Sequence, residues 1–205
     1  MSVVVTLDWY AERISVPRAA RFPLELDPPS GFRPAEPRTW PAVEGRLEYT
    51  GRRLLFMPPC GTLQQGVAVD IVAILRAWAA RHRGFFVGGN EAGMLLSGEV
   101  RAAEAAVWRR RDLGRISAKL PTAPPLLAVE VAGRDEGETE LRDKASWYLR
   151  HGVQVVWIAI PDARELIVVT LAGESRHRSG RLPRCSALPG LWPPVRGFFR
   201  QVASS

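Results

Sequence analysis

An acidic side chain in an apolar segment, followed by one of only two lysines, is the strongest chemical signal in this sequence. Glu130 stands between Val129 and Val131 in the segment LLAVEVAG, where a carboxylate is costly to bury unless a cation or a metal ion pairs with it. Lys144, in the segment ETELRDKASWYLRHGV, is a candidate partner. Since Lys119 is the only other lysine among 28 basic residues, Lys144 is either retained for its compact charge or an ordinary solvated lysine.

Side chains alternate along a strand, so residues two apart share a strand face. By this rule a second carboxylate, Glu104, is predicted to share its strand face with small side chains, as Glu130 does. The small neighbours on the same strand face are Ala102 and Ala106 for Glu104, and Ala128 and Ala132 for Glu130. Two carboxylates facing one cavity repel each other unless a divalent cation neutralises them, and Mg²⁺ prefers such oxygen ligands. This pattern favours metal-assisted phosphodiester hydrolysis, with Lys144 adding positive charge near the attacking water.

Both carboxylates also have a purely structural interpretation. Glu104 could be an edge-strand residue that faces solvent, which is the common situation for an isolated glutamate in an alanine-rich segment. Glu130 could form a structural ion pair with Arg142 or Lys144, a common arrangement for a buried acid. Neither carboxylate is decisive by itself.

The composition bounds the fold and the cellular setting. With 205 residues, of which 46% are hydrophobic, the chain can form one globular domain with a sizeable core. The net charge of +7 favours a polyanionic partner such as nucleic acid, although a general arginine bias gives the same number. With Cys60 and Cys185 as the only cysteines, no signal-like stretch and no long apolar run, we expect a cytoplasmic protein without a membrane span.

The elements that must position the charged residues begin after a proline-rich segment. Residues 1–39 are predicted to form an extended N-terminal arm, and residues 40–205 are predicted to form the folded domain. From Gly45, the alternating segments RLEY and RRLLFM predict a β-hairpin that stops at Pro58.

A helix and a group of strands are predicted next. Apolar residues recur at three- and four-residue steps from Leu63 to Trp78, which predicts a helix, and Gly84 is a suitable C-terminal stop. Three short apolar runs separated by polar or glycine residues are typical of consecutive strands: FFVGG (85–89), AGMLLS (92–97) and EAAVW (104–108).

The second half of the sequence predicts a crossover unit around Glu130. The strand LLAVEVA is followed by a helix over residues 138–150 and then by the strand QVVWIAI, an order that places the two strands parallel in one sheet. A basic, loop-like tail follows the strand ELIVVTL, and Trp192, Phe198 and Phe199 are predicted to dock the C-terminal segment on the core.

A run of three arginines follows the strand that carries Glu104. Arg109, Arg110 and Arg111 could hold a DNA backbone beside the metal site, because phosphate contacts position a protein without reading the base sequence. Ordinary solvated loop charges explain the run nearly as well.

Two segments carry a resemblance to a known family. APPLLAVEVAG and ETELRDKASWYLRHGVQVVWIAIPD resemble PPDLVVEVLS and DLxxKxxxYxxxGVxxYWIVDP, patterns of the Uma-two family of restriction endonucleases within the PD-(D/E)XK nuclease superfamily. The positions that agree are Glu130, Lys144, Tyr148, Gly152, Val153, Trp157 and Pro161. The resemblance extends from about Trp40 to Phe199, with weaker agreement at EGRLEY and FMPP.

This resemblance implies a fold, an activity and a cofactor. The expected fold is α/β, with a restriction-endonuclease-like mixed sheet flanked by helices. The expected activity is metal-dependent cleavage of nucleic acid, in which Glu104 and Glu130 ligate Mg²⁺ or Mn²⁺ and Lys144 is the third catalytic residue. DNA is the expected partner, and the resemblance also suggests a homodimer.

The sequence departs from the family pattern at the site itself. Ala103 and Glu104 stand where the family usually has Pro-Asp, and the extra methylene shifts the carboxylate by roughly 1.5 Å. Pro41 replaces a glutamate, and Gln64 stands where histidine is frequent. Two main hypotheses therefore remain open: a Mg²⁺-dependent endonuclease acting on DNA, and a catalytically inactive nucleic-acid-binding or assembly module. A purely structural interaction module is a third.

Overall fold

The computed structural model describes residues 3–7, 12–16, 22–117, 119–133 and 136–202. Over these residues the chain forms two α-helices, α1 (Thr62–Ala79) and α2 (Glu138–Arg150). The strands of the described residues are β1 (Val3–Leu7), β2 (Glu12–Val16), β3 (Leu24–Leu26), β4 (Arg46–Thr50), β5 (Arg53–Met57), β6 (Phe85–Leu96), β7 (Glu99–Arg109), β8 (Leu127–Val131), β9 (Val155–Ile160), β10 (Glu165–Thr170) and β11 (Gly173–His177).

One mixed sheet organises the fold. Its nine strands follow the order β11-β10-β9-β8-β7-β4-β5-β3, and β6 pairs with β7 outside this path. Within this sheet, β8 and β9 are parallel and the other described pairs are antiparallel. Strands β1 and β2 form a separate antiparallel pair. The fold is therefore α/β with a mixed, mostly antiparallel sheet, as the sequence predicts.

The predicted hairpin is confirmed as β4 and β5, which pair from Arg46↔Met57 to Thr50↔Arg53. Gly45 precedes β4 with a φ of +149°, and a Cβ at this position would lie 2.3 Å from the carbonyl oxygen of Met57. Only glycine fits so close to the neighbouring strand, so this residue fixes where β4 begins and where Arg46 is placed.

Helix α1 is confirmed, but it ends earlier than the sequence suggests. The expected stop was Gly84, whereas the helix ends at Ala79. The backbone N–H groups of Arg81 and His82 donate to the carbonyls of Trp78 and Ala79, three residues back, so the chain leaves the helix through a tight turn.

Two of the predicted middle strands are one strand. The runs at 85–89 and 92–97 both belong to β6, whose pairing with β7 shifts register between Gly89 and Ala92. Asn90 and Glu91, at the shift, have positive φ values of 54° and 58°. A β-bulge at these residues bends the strand without ending it, which is why the sequence pattern breaks there.

The crossover unit β8–α2–β9 is confirmed, and α2 spans the predicted residues 138–150. The sheet to which β8 and β9 belong separates two layers of core. One face of the sheet packs against α1 and the C-terminal segment, through residues that include Ile71, Leu75, Val129, Trp157 and Phe198. The other face packs against α2, through residues that include Ala128, Leu141, Tyr148, Val156 and Ile158.

The C-terminal segment docks as predicted at two of its three aromatic residues. Phe198 and Phe199 are buried in the α1 layer. Trp192 is instead 39% exposed, with the guanidinium groups of Arg181 and Arg184 stacked on its ring at 4.7 and 4.3 Å. The tail also contains β11, a strand that pairs with β10 where a loop was expected.

Part of the predicted N-terminal arm belongs to the sheet, because β3 pairs with β5 at its edge. Residues 1, 2, 8–11 and 17–21 of the arm lie outside the described residues. The division of the chain at residue 39 stays a prediction. Neither α1 nor α2, the helices of the described chain, combines the length and apolar character that a bilayer crossing requires.

Candidate active site

The candidate site lies where two strands share one edge of β7. Strand β6 pairs along the other edge of β7 from Phe85↔Arg109 to Leu96↔Glu99. A strand has two edges, so β4 and β8 must meet the remaining one, β4 at Val100 and β8 at residues 105–107. The backbone between these two pairings, residues 101–104, faces the gap where β4 and β8 diverge.

Glu130 lies at the end of β8 that approaches this gap, and α2 supplies its partners. The Nζ atom of Lys144 is 2.9 Å from its Oε2, and the hydroxyl of Tyr148 donates to its Oε1 at 2.7 Å. Lys144 and Tyr148 are four residues apart and therefore share one helix face. Of the structural alternatives for Glu130, the pair with Lys144 is present, whereas Arg142 pairs with Glu138 and Glu174.

Burial and charge fix the protonation of these two partners. Burial opposes the charge of Lys144, but Glu130 and Glu48 raise its pKa above the usual value, so it stays an ammonium ion at neutral pH. Burial and the negative charge of Glu130 raise the pKa of Tyr148 well above its usual value, so its hydroxyl remains a hydrogen-bond donor.

Glu104 is buried in the gap beside the end of β8. If the β7–β8 register continues by one residue beyond Ala105↔Val129, Glu104 lies opposite Glu130. Its Oε1 accepts from Arg46 Nη1 at 3.2 Å and from Gln64 Nε2 at 3.0 Å. The solvent-facing alternative is wrong, since Glu104 is 8% exposed. Burial raises the pKa of its carboxyl, against the opposing charge of Arg46.

Glu48, on β4, is a third carboxylate at this site. It is fully buried, and its oxygens lie 2.8 Å from Arg101 Nη1 and 3.6 Å from Lys144 Nζ. The backbone N–H of Ala102 also donates to it at 3.2 Å. Burial opposes its charge, yet Lys144, Arg46 and Arg101 hold the pKa of Glu48 below its usual value. It therefore remains ionised and ties β4 to β7 and α2.

Among the described residues, the cluster carries more carboxylates than cations. Its described acids are Glu48, Glu104, Glu130 and Glu136, the last with Oε1 3.6 Å from Lys144, and its described cations are Arg46, Arg101 and Lys144. With every group ionised, one negative charge is in excess. Burial also raises the pKa of Glu136, as expected for an acid in a crowded anionic cluster.

A cavity of about 100 Å³ opens beside Glu104. Its charged and polar lining includes Arg46, Gln64, Glu91, Glu104 and Glu136. Solvent and small ions can therefore reach the Glu104 side of the cluster.

The arginine run lies farther along β7. Arg109 ends the strand five residues after Glu104, which corresponds to about 17 Å of extended chain. Arg110 stacks on the ring of Phe86 with its guanidinium carbon 5.8 Å from the ring centroid, and Arg111 lies 3.6 Å from Asp112. Arg110 also lines a surface depression with two arginines from the region of the α1 C-terminus, Arg76 and Arg83.

Comparison with known proteins identifies the family. Residues 35–196 match the family model Uma2, described as "Putative restriction endonuclease". The chain belongs to this family. The Uma2 match covers most of the chain, and it includes β4 and every residue of the cluster described above.

A solved structure shares the Uma2 fold. The crystal structure of a putative nuclease belonging to DUF820 from Anabaena variabilis ATCC 29413 superposes with a TM-score of 0.70. The alignment covers 80% of this chain and 94% of that chain at 15% sequence identity, so it shows a common architecture. A search of curated proteins finds no match.

Restriction-endonuclease-like proteins such as the Uma2 family usually use a divalent metal ion, and the carboxylates near the gap are ligands of the kind that such an ion takes. Mg²⁺ commonly takes one or two protein carboxylates and completes its shell with waters and substrate phosphate. Glu104 and Glu130 match that number, and among the described residues no group of three His, Cys, Asp or Glu side chains is close enough to supply more. Two features depart from the pattern. The guanidinium of Arg46 already contacts Glu104, and both oxygens of Glu130 already accept hydrogen bonds from Lys144 and Tyr148.

Of the three residues that the sequence singled out as catalytic, Glu130 and Lys144 are in direct contact, and Glu104 is influenced by the charges of both while it contacts Arg46 and Gln64. It adds partners that the sequence analysis missed, which are Arg46, Glu48, Arg101 and Glu136. The alternation in RLEY was a usable signal, because it places Arg46 and Glu48 on one face of β4. Gln64, noted only as the replacement of a family histidine, also reaches the site and donates to both Glu104 and the carbonyl of Val131.

Proposed function

We propose that this Uma2 protein is a nuclease that hydrolyses phosphodiester bonds in DNA with the help of Mg²⁺ or Mn²⁺. The proposal is supported by the pair of Glu130 with the ammonium of Lys144, and by Glu104, whose buried carboxyl lies near enough to feel the charges of both. Acidic oxygens beside a fixed positive charge are the parts that metal-assisted phosphate hydrolysis requires.

The proposed roles follow from the contacts of each side chain. Glu104 and Glu130 would hold the metal ion. The ion would lower the pKa of a bound water and stabilise charge on the phosphate. Lys144 would act as an electrostatic stabiliser and not as a base, since its raised pKa keeps it protonated. Tyr148 would orient Glu130, because its hydroxyl occupies one of the two carboxylate oxygens.

Supercoiled plasmid DNA with Mg²⁺ or Mn²⁺ provides the direct test. We expect Glu130→Gln and Glu104→Gln to lower the cleavage rate by at least about a hundredfold, because each removes a charged oxygen ligand while it keeps the side-chain volume. Glu165→Gln is the matched control: Glu165 is equally buried and pairs with Arg176 at 3.3 Å, but it lies on β10 outside the cluster. It should cleave like the wild type.

Two outcomes would count against the nuclease. One is a folded wild-type protein that fails to nick plasmid with either metal ion. The other is cleavage that persists unchanged in Glu130→Gln, which would point to a contaminating enzyme. Circular dichroism of each variant separates a lost activity from a lost fold.

A second function is favoured by one specific contact. The Arg46 guanidinium lies 3.2 Å from Glu104, so a cation of the protein itself already neutralises this carboxylate. The same fold could then act as a catalytically inactive nucleic-acid-binding or assembly module. Calorimetry with Mn²⁺ distinguishes the two, because the inactive module should show no saturable binding that depends on Glu130.

DNA as the partner rests on the family and on the distribution of arginines. We propose that Arg109, Arg110 and Arg111 contact the phosphate backbone, together with Arg76 and Arg83 beside them. One strand of duplex DNA presents a phosphate about every 3.4 Å along its axis. The roughly 17 Å between Glu104 and Arg109 therefore corresponds to about five base pairs, so one duplex could reach both.

Two further expectations complete the proposal. We propose a homodimer, as the family resemblance suggests, and sedimentation velocity of the purified chain would show whether one forms. We also propose a cytoplasmic location, which fits DNA as a substrate and the two free cysteines, Cys60 and Cys185. Fractionation of cells that express the protein would test it.

A further inference from the structure

Arg46 is the most unusual residue of the cluster. It begins β4 directly after Gly45, and its side chain is only 9% exposed. Its guanidinium contacts Glu104 at 3.2 Å and lies 3.8 Å from Glu48. A permanent positive charge therefore occupies the space between acids from β7 and β4, next to the cavity that admits solvent to Glu104.

The hydrogen bonds of Arg46 hold it less firmly than an arginine can be held. The contact with Glu104 uses one nitrogen and one oxygen, whereas guanidinium and carboxylate groups can form two parallel bonds. Its Nη2 donates to the sulfur of Met57, a weak acceptor. Its Nε has no hydrogen-bond partner among the described residues. If it leaves Glu104, the side chain therefore gives up one charge-assisted hydrogen bond and not a bidentate pair.

The cavity offers a place for such a movement. Arg46 and Glu104 both line it, together with Met57, Pro58 and Gln64. A guanidinium that leaves Glu104 can turn toward the solvent side of this cavity, while Gln64 continues to donate to Glu104 and keeps it oriented.

We propose that Arg46 is an internal counter-cation that competes with a divalent metal ion for Glu104. This inference rests on the proposed function, because it takes Glu104 to be a metal ligand. Arg46 and Gln64 both contact Oε1 of Glu104, so a metal ion would bind at Oε2 of the same carboxylate, and the repulsion between the neighbouring guanidinium and the metal ion would make the two cations compete. Arg46 would neutralise part of the negative charge of the cluster until a divalent ion displaces it from Glu104.

Calorimetric titration of the full-length chain with Mn²⁺ tests this competition. We expect Arg46→Gln to bind Mn²⁺ at least about tenfold more tightly than the wild type, because a nearby positive charge has been removed. Adding Glu104→Gln to this variant should abolish the gain. The matched control is Arg101→Gln, which removes the same charge from Glu48 but not from Glu104, and it should gain much less.

Three outcomes would overturn the inference, and they separate it from the proposed function. Equal affinity in wild type and Arg46→Gln, dependent on Glu104 in both, would leave the metal site standing without competition. An equal gain in Arg101→Gln would indicate a general charge effect. No binding in any folded variant would remove the metal site and the inference together.

A measurement on the wild-type protein covers the case in which Arg46→Gln fails to fold. The Nε–H signal of Arg46 in an NMR spectrum, assigned through Arg46→Lys, should shift as Mg²⁺ is added, while that of Arg101 should move much less. A stationary Arg46 signal during Glu104-dependent Mg²⁺ binding would rule out displacement of the guanidinium.

Discussion

The buried carboxylate of Glu130 is stabilised by a separate hydrogen-bond donor at each of its oxygens. Each of its oxygens has its own donor, Lys144 Nζ at one and the Tyr148 hydroxyl at the other. Because both donors come from one face of α2, the carboxylate is held in a single orientation. A buried charge satisfied in this way is a constraint on geometry more than a source of stability.

At the residue scale, Tyr148→Phe should destabilise the protein by about 1–3 kcal/mol, because it leaves Glu130 Oε1 buried without its hydroxyl donor. Urea unfolding followed by fluorescence measures the change. Tyr49→Phe is the control, since within the described chain the Tyr49 hydroxyl makes no hydrogen bond, and it should change stability by less than about 0.5 kcal/mol. Equal effects of the two substitutions would show that the Glu130 contact does not matter for stability.

At the scale of elements, the carboxylate of Glu99 connects three segments, which are β7, the β4–β5 turn and α2. Glu99 begins β7, and its carboxylate accepts from the backbone N–H of Gly51 in the β4–β5 turn at 2.7 Å. Its other oxygen accepts from the indole N–H of Trp147 on α2. Partial burial opposes its charge, yet the N–H of Gly51 and the indole of Trp147 hold the pKa of Glu99 below its usual value.

This pKa shift predicts a pH dependence of stability. A carboxyl whose pKa is lowered by folding contributes fully above its unfolded value of about 4.5, and the contribution is lost as pH falls through the lower folded pKa. Thermal unfolding measured from pH 7 to pH 3 should therefore show a smaller loss of stability on acidification in Glu99→Gln than in the wild type. The variant should also be about 1 kcal/mol less stable at pH 7. An equal fall in stability with pH in the two proteins would contradict the role given to Glu99.

At the scale of the whole molecule, the net charge of the chain has the opposite sign to that of the described cluster at the site. The chain carries a net charge of +7, whereas the cluster around Glu104 has, among the residues that the structure describes, one carboxylate in excess of its cations. A polyanion is drawn to the molecule as a whole, and a cation is drawn to the gap. DNA and a divalent ion would thus favour each other's binding.

The arginines near the α1 C-terminus make this distribution testable. Replacing Arg76, Arg83 and Arg110 together by glutamine should weaken binding to DNA of any sequence, because phosphate contacts are independent of base sequence. The slope of log affinity against log salt concentration should fall by about 2–3, close to one for each phosphate that an arginine no longer neutralises. Fluorescence anisotropy of a labelled duplex at several salt concentrations measures both quantities.

The control for this experiment removes the same total charge elsewhere. Arg33, Arg53 and Arg142 each pair with a carboxylate of the protein, so they offer less positive potential to DNA. Their triple glutamine variant should keep nearly the wild-type salt slope. An equal loss in both triple variants would show that overall charge, and not the arginines near α1, governs DNA binding.

The sequence by itself determined the crossover unit and the part of the site that lies within it. Residues 138–150 of α2 and the parallel pairing of β8 with β9 follow from local patterns, which also made Lys144 one of two candidate cations for Glu130. The physical reason is proximity along the chain. Lys144 and Glu130 are 14 residues apart, and a strand–helix–strand unit has only one common way to fold back on its sheet.

Only the tertiary structure decided which cation meets Glu104. Arg46 is 58 residues away and Gln64 is 40 residues away, and both arrive because β4 and β8 share one edge of β7 while α1 begins beside it. Side-chain alternation says which face of a strand a residue occupies, but it does not say which distant strand lies next to it. For the same reason, the bulge in β6 and the partner of Glu48 could be found only once the strands were placed in order.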